Sequence, residues 1–187
     1  DENNDPIHVN DIEVAMKDTS YWKKNDLFIS IRNQSAIIHY RPSTNKVINY
    51  IKGPFYMQHD VNIISDTEIS IFNNNNSFDE TSKFSEVLTY NFENQSFEKK
   101  FPKSLIKNDF KTTQGGMSQI LEDGSLFLDE QDNGRLLFFD NEGNLEWEYL
   151  NKADNESNIY PIRWSTLITD KGKIMSTKNN LTKKCLE

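Results

Sequence analysis

Three stretches of the chain follow one pattern: SAIIHYRP at 35–42, SEVLTYNF at 85–92 and GRLLFFDN at 134–141. Each begins with a small residue and has two aliphatic residues and an aromatic residue at the same positions. Successive copies begin 50 and 49 residues apart. Self-similarity at a fixed period of this length indicates a repeat architecture, in which each copy forms one structural unit.

Each copy carries three further strand-like runs around this stretch. The runs are short, rich in β-branched and aromatic residues and bounded by Asn, Asp and Gly turns, and no helical period is sustained. We therefore predict four strands per repeat. The additional runs begin at residues 8, 25 and 46, at 59, 66 and 96, at 116, 123 and 144, and, in an incomplete fourth copy, at 163 and 170.

Four strands in every ~50 residues are typical of β-propeller blades. We predict one all-β domain over residues 1–187, a β-propeller of four-stranded antiparallel blades with about three and a half blades present. Because a propeller needs at least about four blades to close, the chain is expected to form part of a larger ring. A β-sandwich ranks second, since it would lack the regular period. The predicted blades cover approximately residues 7–53, 58–103, 115–151 and, incompletely, 160–187.

Composition limits the classes of partner. The 187 residues are 35% hydrophobic and 12% aromatic, which is enough for a packed core. The net charge of -8 and the dispersed lysines argue against nucleic acid, and no apolar run reaches the ~18 residues that span a bilayer. Cys185 is the single cysteine and is expected to be an incidental thiol. No cofactor or metal motif is present, and no signal peptide is visible.

The first strand of each blade lines the central channel of a propeller, so equivalent residues of these strands converge on one axis. Counting back seven residues from the aspartate that opens the second strand identifies these positions in copies two to four. In copy one, the channel position is the residue that lies four positions before an aliphatic residue of the first strand. The residue two positions after it also faces inward, because side chains alternate along a strand. The channel residues predicted in this way are His59, Gly116, Arg163, His8 and Asn10.

Such a set suits an anionic ligand. Arginine offers a planar fork of donors to sulfuryl or phosphoryl oxygens, histidine donates, accepts or attacks near neutral pH, and glycine leaves room for a ring. The spacing is equally compatible with histidines that only hydrogen-bond neighbouring strands in a water-filled channel. Arg32, at the end of a second strand, is by position more typical of a solvated charge than of a clamp. His39, on a third strand, is interpreted as structural or exposed.

Four segments occur in an order that resembles a known family. They contain an H-x-N element, a strand-borne S-x-R-x-x-S and a later Q-H-D. The segments are IHVNDIE at 7–13, DLFISIRNQSAI at 26–37, GPFYMQHDV at 53–61 and TQGGMSQILEDGSLFLDEQDNGRLLFF at 113–139. Together they resemble the arylsulfotransferase family, whose members work without PAPS and are built on a six-bladed propeller. The resemblance runs from about Ile7 to Ile168.

The resemblance implies an enzyme that moves a sulfuryl group from a phenolic sulfate ester to a phenol through a sulfohistidine, without a cofactor. By similarity, His59 accepts the group and Arg32 binds the sulfate. His8 and Asn10 orient the substrate and handle the phenolic proton. The family is typically found outside the bacterial cytoplasm, which implies a periplasmic or secreted protein. Two further residues come from the repeat alignment alone and are expected to bind substrate: Arg163 and Gly116.

Two other functions stay open at this point. The chain is also compatible with a propeller module that binds an anionic or aromatic ligand without turnover, and with a purely structural repeat fragment. A third channel histidine that the family draws from an earlier blade has no counterpart in the sequence. The missing blades are therefore expected from a longer chain or from a homo-oligomer.

Overall fold

The computed structural model describes residues 5–75, 84–154 and 158–184. In that part of the chain, twelve strands form three four-stranded antiparallel sheets. In each sheet the strands lie side by side in sequence order, so successive strands are hydrogen-bonded neighbours. The prediction of an all-β class with four strands per repeat is confirmed for the three complete copies.

The strands closely match the predicted runs. Sheet 1 is β1 (Val9–Val14), β2 (Leu27–Ile31), β3 (Ala36–Arg41) and β4 (Lys46–Ile51). Sheet 2 is β5 (His59–Ile63), β6 (Glu68–Asn73), β7 (Glu86–Asn91) and β8 (Ser96–Lys99). Sheet 3 is β9 (Met117–Ile120), β10 (Leu126–Glu130), β11 (Arg135–Phe139) and β12 (Leu145–Leu150). A short helix, α1 (Pro102–Lys107), links the second and third sheets.

In two of the copies, the backbone conformation explains why the repeated pattern begins with a small residue. A single 3-10 turn joins the second strand to the third, and it ends at Ser35 with φ 47° and at Gly134 with φ 56°. These are left-handed conformations, in which a bulky side chain would be strained. The turn therefore favours a small residue at this position.

Two apolar clusters fill the spaces between neighbouring sheets. The first lies between sheets 1 and 2 and includes Trp22, from the connection between β1 and β2. Its indole packs edge-on against Phe28 and Phe92 with ring centroids 5.5 and 5.4 Å apart, and each such pair adds about 0.5–1.5 kcal/mol to area burial. The second cluster lies between sheets 2 and 3 and includes Phe72 and Phe110.

The first strands are also linked by polar contacts. The Val61 amide of β5 donates to Asp11 Oδ2 of β1 at 2.7 Å, and the Ser118 amide of β9 donates to Asp60 Oδ2 of β5 at 2.8 Å. The pairing of β1 with β2 and that of β5 with β6 each have a bulge, at Asn10 and Asp60. Bulges re-aim side chains and often lie near functional sites. Because β5 contacts both β1 and β9, the three first strands form one row with β5 in the middle.

A buried ionic cluster stabilises sheet 1. Asp26 accepts hydrogen bonds from Arg41 Nε at 2.8 Å, from Arg41 Nη2 at 2.7 Å and from the Lys23 amide at 2.8 Å, and His39 Nε2 lies 2.8 Å away. Burial would raise the pKa of Asp26, but these partners outweigh it and hold the pKa well below its ordinary value. His39 is fully buried and stacks on Phe28. The structural interpretation of His39 is confirmed.

The strands predicted for the fourth copy are wrong. Residues 160–170 form no strand, and the chain continues as a helix, α2 (Lys171–Lys184), whose residues 171–181 are exposed except for the half-buried Ile174. A strand needs a partner edge for its backbone hydrogen bonds, whereas a helix satisfies its own. Cys185 lies outside the described residues. Within the described ranges, no helix is both long and apolar enough to cross a membrane.

Candidate functional site

A cavity of about 230 Å³ opens where the starts of the three first strands meet. Sheets 1, 2 and 3 all contribute to its wall, and three of the five predicted channel residues, His59, Gly116 and Asn10, line it. Its lining is Asn10, Asp11, His59, Asp60, Gly115, Gly116, Met117, Gln131 and Trp164.

His59, the first residue of β5, is held by hydrogen bonds to both ring nitrogens. Nδ1 lies 2.6 Å from Asn74 Oδ1, and the Gly115 amide donates to Nε2 at 3.3 Å. The Asn74 amide group has a fixed orientation, because its Nδ2 donates to the carbonyls of Thr112 at 3.1 Å and Gly115 at 2.7 Å. Asn74 Oδ1 can only accept. The proton of the neutral ring therefore sits on Nδ1, and Nε2 carries the lone pair.

The surroundings of His59 favour this neutral ring. Burial lowers the pKa of His59 most, and the positive charges of Arg32 and His8 lower it further. The hydrogen bond with Asn74 acts in the opposite direction without reversing the shift. At pH 7 His59 thus presents an unprotonated Nε2, which is the form that can act as a nucleophile.

Arg32 and His8 lie close enough to His59 to influence its charge, but they do not line the cavity. Arg32 is half-buried in the turn after β2, where Nη1 donates to Asn33 Oδ1 at 2.9 Å. The Arg32 amide donates to the His8 carbonyl at 3.0 Å, which ties the two residues together. His8 Nδ1 lies 2.6 Å from Asp5 Oδ2 on the exposed side.

The strand registers place Asn10, rather than His8, at the position equivalent to His59 and Gly116. The middle of each first strand pairs with the same aliphatic position of the second strand. Two residues before the paired residue of each first strand lie Asn10 in sheet 1, His59 in sheet 2 and Gly116 in sheet 3. The sequence alignment selected His8 because of the insertion between β1 and β2. The pairs are Ile12 with Ile29, Val61 with Ile71 and Ser118 with Leu128.

The other predicted binding residues have different surroundings. Asn10 Nδ2 donates to the Gln58 carbonyl at 2.8 Å, and its buried Oδ1 has no partner within the described structure. Gly116 has φ +113°, and a Cβ there would lie 2.3 Å from Phe72 Cζ. The missing side chain thus makes room for the core ring and not for a ligand ring. Arg163 is exposed and does not line the cavity, whereas its neighbour Trp164 does.

Asp60 brings a buried carboxyl group to the same wall. Its Oδ2 accepts hydrogen bonds from the Ser118 amide at 2.8 Å, from Asn62 Nδ2 at 2.9 Å and from Ser118 Oγ at 3.3 Å. Burial raises the pKa of Asp60 to about 7 despite these donors, and the nearby charge of Asp11 adds to the rise. Asp60 thus titrates near neutral pH.

The family model named Arylsulfotransferase (ASST) matches residues 1–152. The chain belongs to the arylsulfotransferase family. Among solved structures, this arylsulfotransferase-family chain is similar to virginiamycin B lyase from Staphylococcus aureus, with 13% identity and a TM-score of 0.43. The similarity covers 75% of this chain and 53% of that one, so the chain spans about half of that structure's length. Comparison with curated protein sequences gives no match.

Two residues around His59 in this arylsulfotransferase-family chain were not predicted from the sequence. Asn74 belongs to a run of asparagines, which gave no sign that one of them is buried against a histidine. Asp60 follows His59 in the quoted Q-H-D element, and only the bulge explains why it turns into the interior. No group of three or more His, Cys, Asp and Glu side chains among the described residues is arranged to hold a metal ion.

Proposed function

We propose that the protein transfers a sulfuryl group from an aryl sulfate ester to a phenol, with Nε2 of His59 as the nucleophile. One observation carries this proposal: Asn74 fixes the tautomer of a half-buried, neutral His59 whose Nε2 carries the lone pair at the cavity wall. A fixed tautomer and a lowered pKa are what a histidine nucleophile requires near neutral pH.

The reaction proceeds in two displacements at sulfur. Nε2 attacks the donor's sulfur while the bond from sulfur to the aryl oxygen breaks and its electron pair goes to that oxygen, which leaves sulfohistidine and a phenolate that takes up a proton. The acceptor's oxygen then attacks the same sulfur and returns the electron pair to Nε2. The contact from the Gly115 amide to Nε2, at 3.3 Å, is long for a hydrogen bond and must open first.

Four residues around His59 have supporting roles in this proposal. Arg32, turned away from Asn33, neutralises charge on the sulfuryl oxygens. Asn10, from the cavity wall, and His8, from the rim, help to orient the substrate. Trp164, at the cavity edge and 70% exposed, offers a face on which an aryl ring can stack.

The test is release of a chromogenic phenol from its sulfate ester, with and without a second phenol. We expect acceptor-dependent release that His59→Gln abolishes, and a gain of one sulfuryl group on His59 detectable by mass spectrometry without acceptor. Thermal unfolding checks that the variant is folded. Equal release by the two proteins would contradict the proposal. Saturable aryl sulfate binding without release, lost in Arg32→Ala, would indicate a binding module instead.

We also propose that the three sheets are blades of a six-bladed propeller and that another sheet covers the free face of sheet 1. Ile12 is 50% exposed, whereas its equivalent in the next sheet, Val61, is 1% exposed against sheet 1. If the face is covered, by a longer chain or by a second copy, Ile12→Lys lowers the unfolding temperature or the oligomer mass. An unchanged melting curve and mass would contradict this.

The same family relationship leads us to propose that the protein acts outside the cytoplasm. Fractionation of the producing cells tests this proposal, and protein confined to the cytoplasmic fraction would contradict it.

A further inference from the structure

We propose that Asp60 is the general acid and base of the transfer, giving a proton to the departing aryl oxygen and later taking one from the acceptor phenol. This inference rests on the proposed function. It assigns the proton-transfer role to a residue of the cavity wall, in place of His8.

The placement of Asp60 is the first argument. It lies next to His59 on β5, and both side chains line the same cavity. It is the bulge residue of its strand and has φ +40°, a strained backbone for a non-glycine residue. Such strain is often retained where a side chain must be aimed at a functional site.

The hydrogen bonds of Asp60 are the second argument. All three donors that it meets bind Oδ2, so the Ser118 and Asn62 contacts anchor the carboxyl group by one oxygen. Oδ1 accepts none of these hydrogen bonds. Because Asp60 lines the cavity, Oδ1 is the oxygen left for a substrate hydroxyl.

The third argument is protonation. A general acid and base works best when its pKa lies near the working pH, and burial raises the pKa of Asp60 to about 7. The charged group that acts on it is Asp11 of β1, His59 precedes it on its own strand, and from β9 it meets the uncharged Ser118. His8 is a poorer candidate because its ring is engaged with Asp5 outside the cavity.

The proton balance closes over one cycle. Protonated Asp60 donates its proton to the aryl oxygen as His59 Nε2 takes the sulfuryl group, and it is then ionised. The acceptor phenol gives its proton to the ionised carboxylate as its oxygen attacks sulfur. The nitrogen–sulfur bond breaks, and the enzyme returns to its starting protonation.

The test separates the two half-reactions in Asp60→Asn, which keeps an amide oxygen for the Ser118 amide. With 4-nitrophenyl sulfate as donor, the leaving group needs no acid, so the first-turnover burst is retained. Transfer to unsubstituted phenol, whose pKa is about 10, falls at least about 100-fold. Transfer to an acidic nitrophenol, already ionised at the assay pH, falls much less. An equal loss with both acceptors, or no loss, overturns the inference.

Two further variants keep the test decisive. Asp11→Asn leaves Asp60 in place but removes the charge that disfavours its ionisation, so the rise of transfer rate with pH moves to lower pH. This readout stands even if Asp60→Asn fails to fold, and an unmoved profile counts against the inference. His8→Gln should not change the dependence on acceptor acidity; if it does, while Asp60→Asn does not, His8 is the base. Loss of the burst in the wild type would instead refute the proposed function.

Discussion

Removing the Asn74 amide should make His59 harder to protonate. The hydrogen bond from Nδ1 to Asn74 Oδ1 is 2.6 Å long and lies in a part of the protein where Asn74 is only 4% exposed. In Asn74→Ala the imidazolium loses this partner, while burial and the charge of Arg32 continue to oppose protonation. The pKa of His59 should therefore fall further below its ordinary value.

The size of the effect follows from the difference between two hydrogen bonds. A bond to a charged group contributes about 1.5–3 kcal/mol, and a bond to a neutral group about 0.5–1.5 kcal/mol. Because the neutral ring also donates to Asn74, only the difference of roughly 1–1.5 kcal/mol counts. That corresponds to an approximately tenfold change in the ionisation constant. Asn74→Asp should move the pKa in the opposite direction, since a carboxylate favours the imidazolium.

The assay is an NMR titration of the histidine rings. The chain has three histidines, and only His59 contacts Asn74, so the signals are readily assigned with His8→Gln and His59→Gln. Asn73→Ala is the matched control: this neighbouring asparagine is also buried, but its side chain binds the Tyr56 amide and not His59. An unchanged midpoint for His59 in Asn74→Ala, or the same change in the Asn73 control, would refute the reasoning.

Three further predictions concern packing and binding. Gly116→Ala should lower the free energy of unfolding by about 1–3 kcal/mol in denaturant unfolding. Gly124→Ala should lower it less, because Gly124 also has a positive φ but a Cβ there would meet no atom closer than 3.6 Å. Equal losses would argue against the contact with the Phe72 ring. Asp26→Ala should lower the free energy of unfolding by about 3–5 kcal/mol. In the wild type this contribution should be lost as pH falls below about 4, because the pKa of Asp26 is lower in the folded than in the unfolded protein. A free energy of unfolding that acid leaves unchanged would contradict this. Trp164→Leu should raise the KM for an aryl sulfate about two- to tenfold without lowering kcat, whereas Trp147→Leu, outside the cavity, should not.

The repeated pattern made the three four-stranded sheets predictable because each copy contains its own hairpins. Hydrogen bonds between successive strands depend on local alternation and turn chemistry, which are readable over about 50 residues. The first three copies therefore have the predicted strands. The prediction for the fourth copy was wrong because residues 163–177 have a strand-like pattern, whereas the described structure contains no neighbouring sheet edge that would stabilise a strand there.

The site was predictable in part, both from the family motifs and from the repeat alignment, which placed Gly116 at the cavity. His59 and Asn10 reach the cavity as the sequence indicated, and Arg32 and His8 lie near enough to His59 to act on its charge. Arg163 does not line the cavity, because an offset in the repeat selects a chain position without fixing the path of an irregular segment.

The sequence by itself determined the strands of the three sheets and the family, because these depend on periodicity and motif order along the chain. The tertiary structure alone decided the protonation of the site. Whether His59 is neutral, which of its nitrogens carries the proton and whether Asp60 titrates near neutral pH depend on burial and on partners such as Asn74 and Ser118. Such contacts join separate strands, and a linear pattern holds no record of the distances that set them.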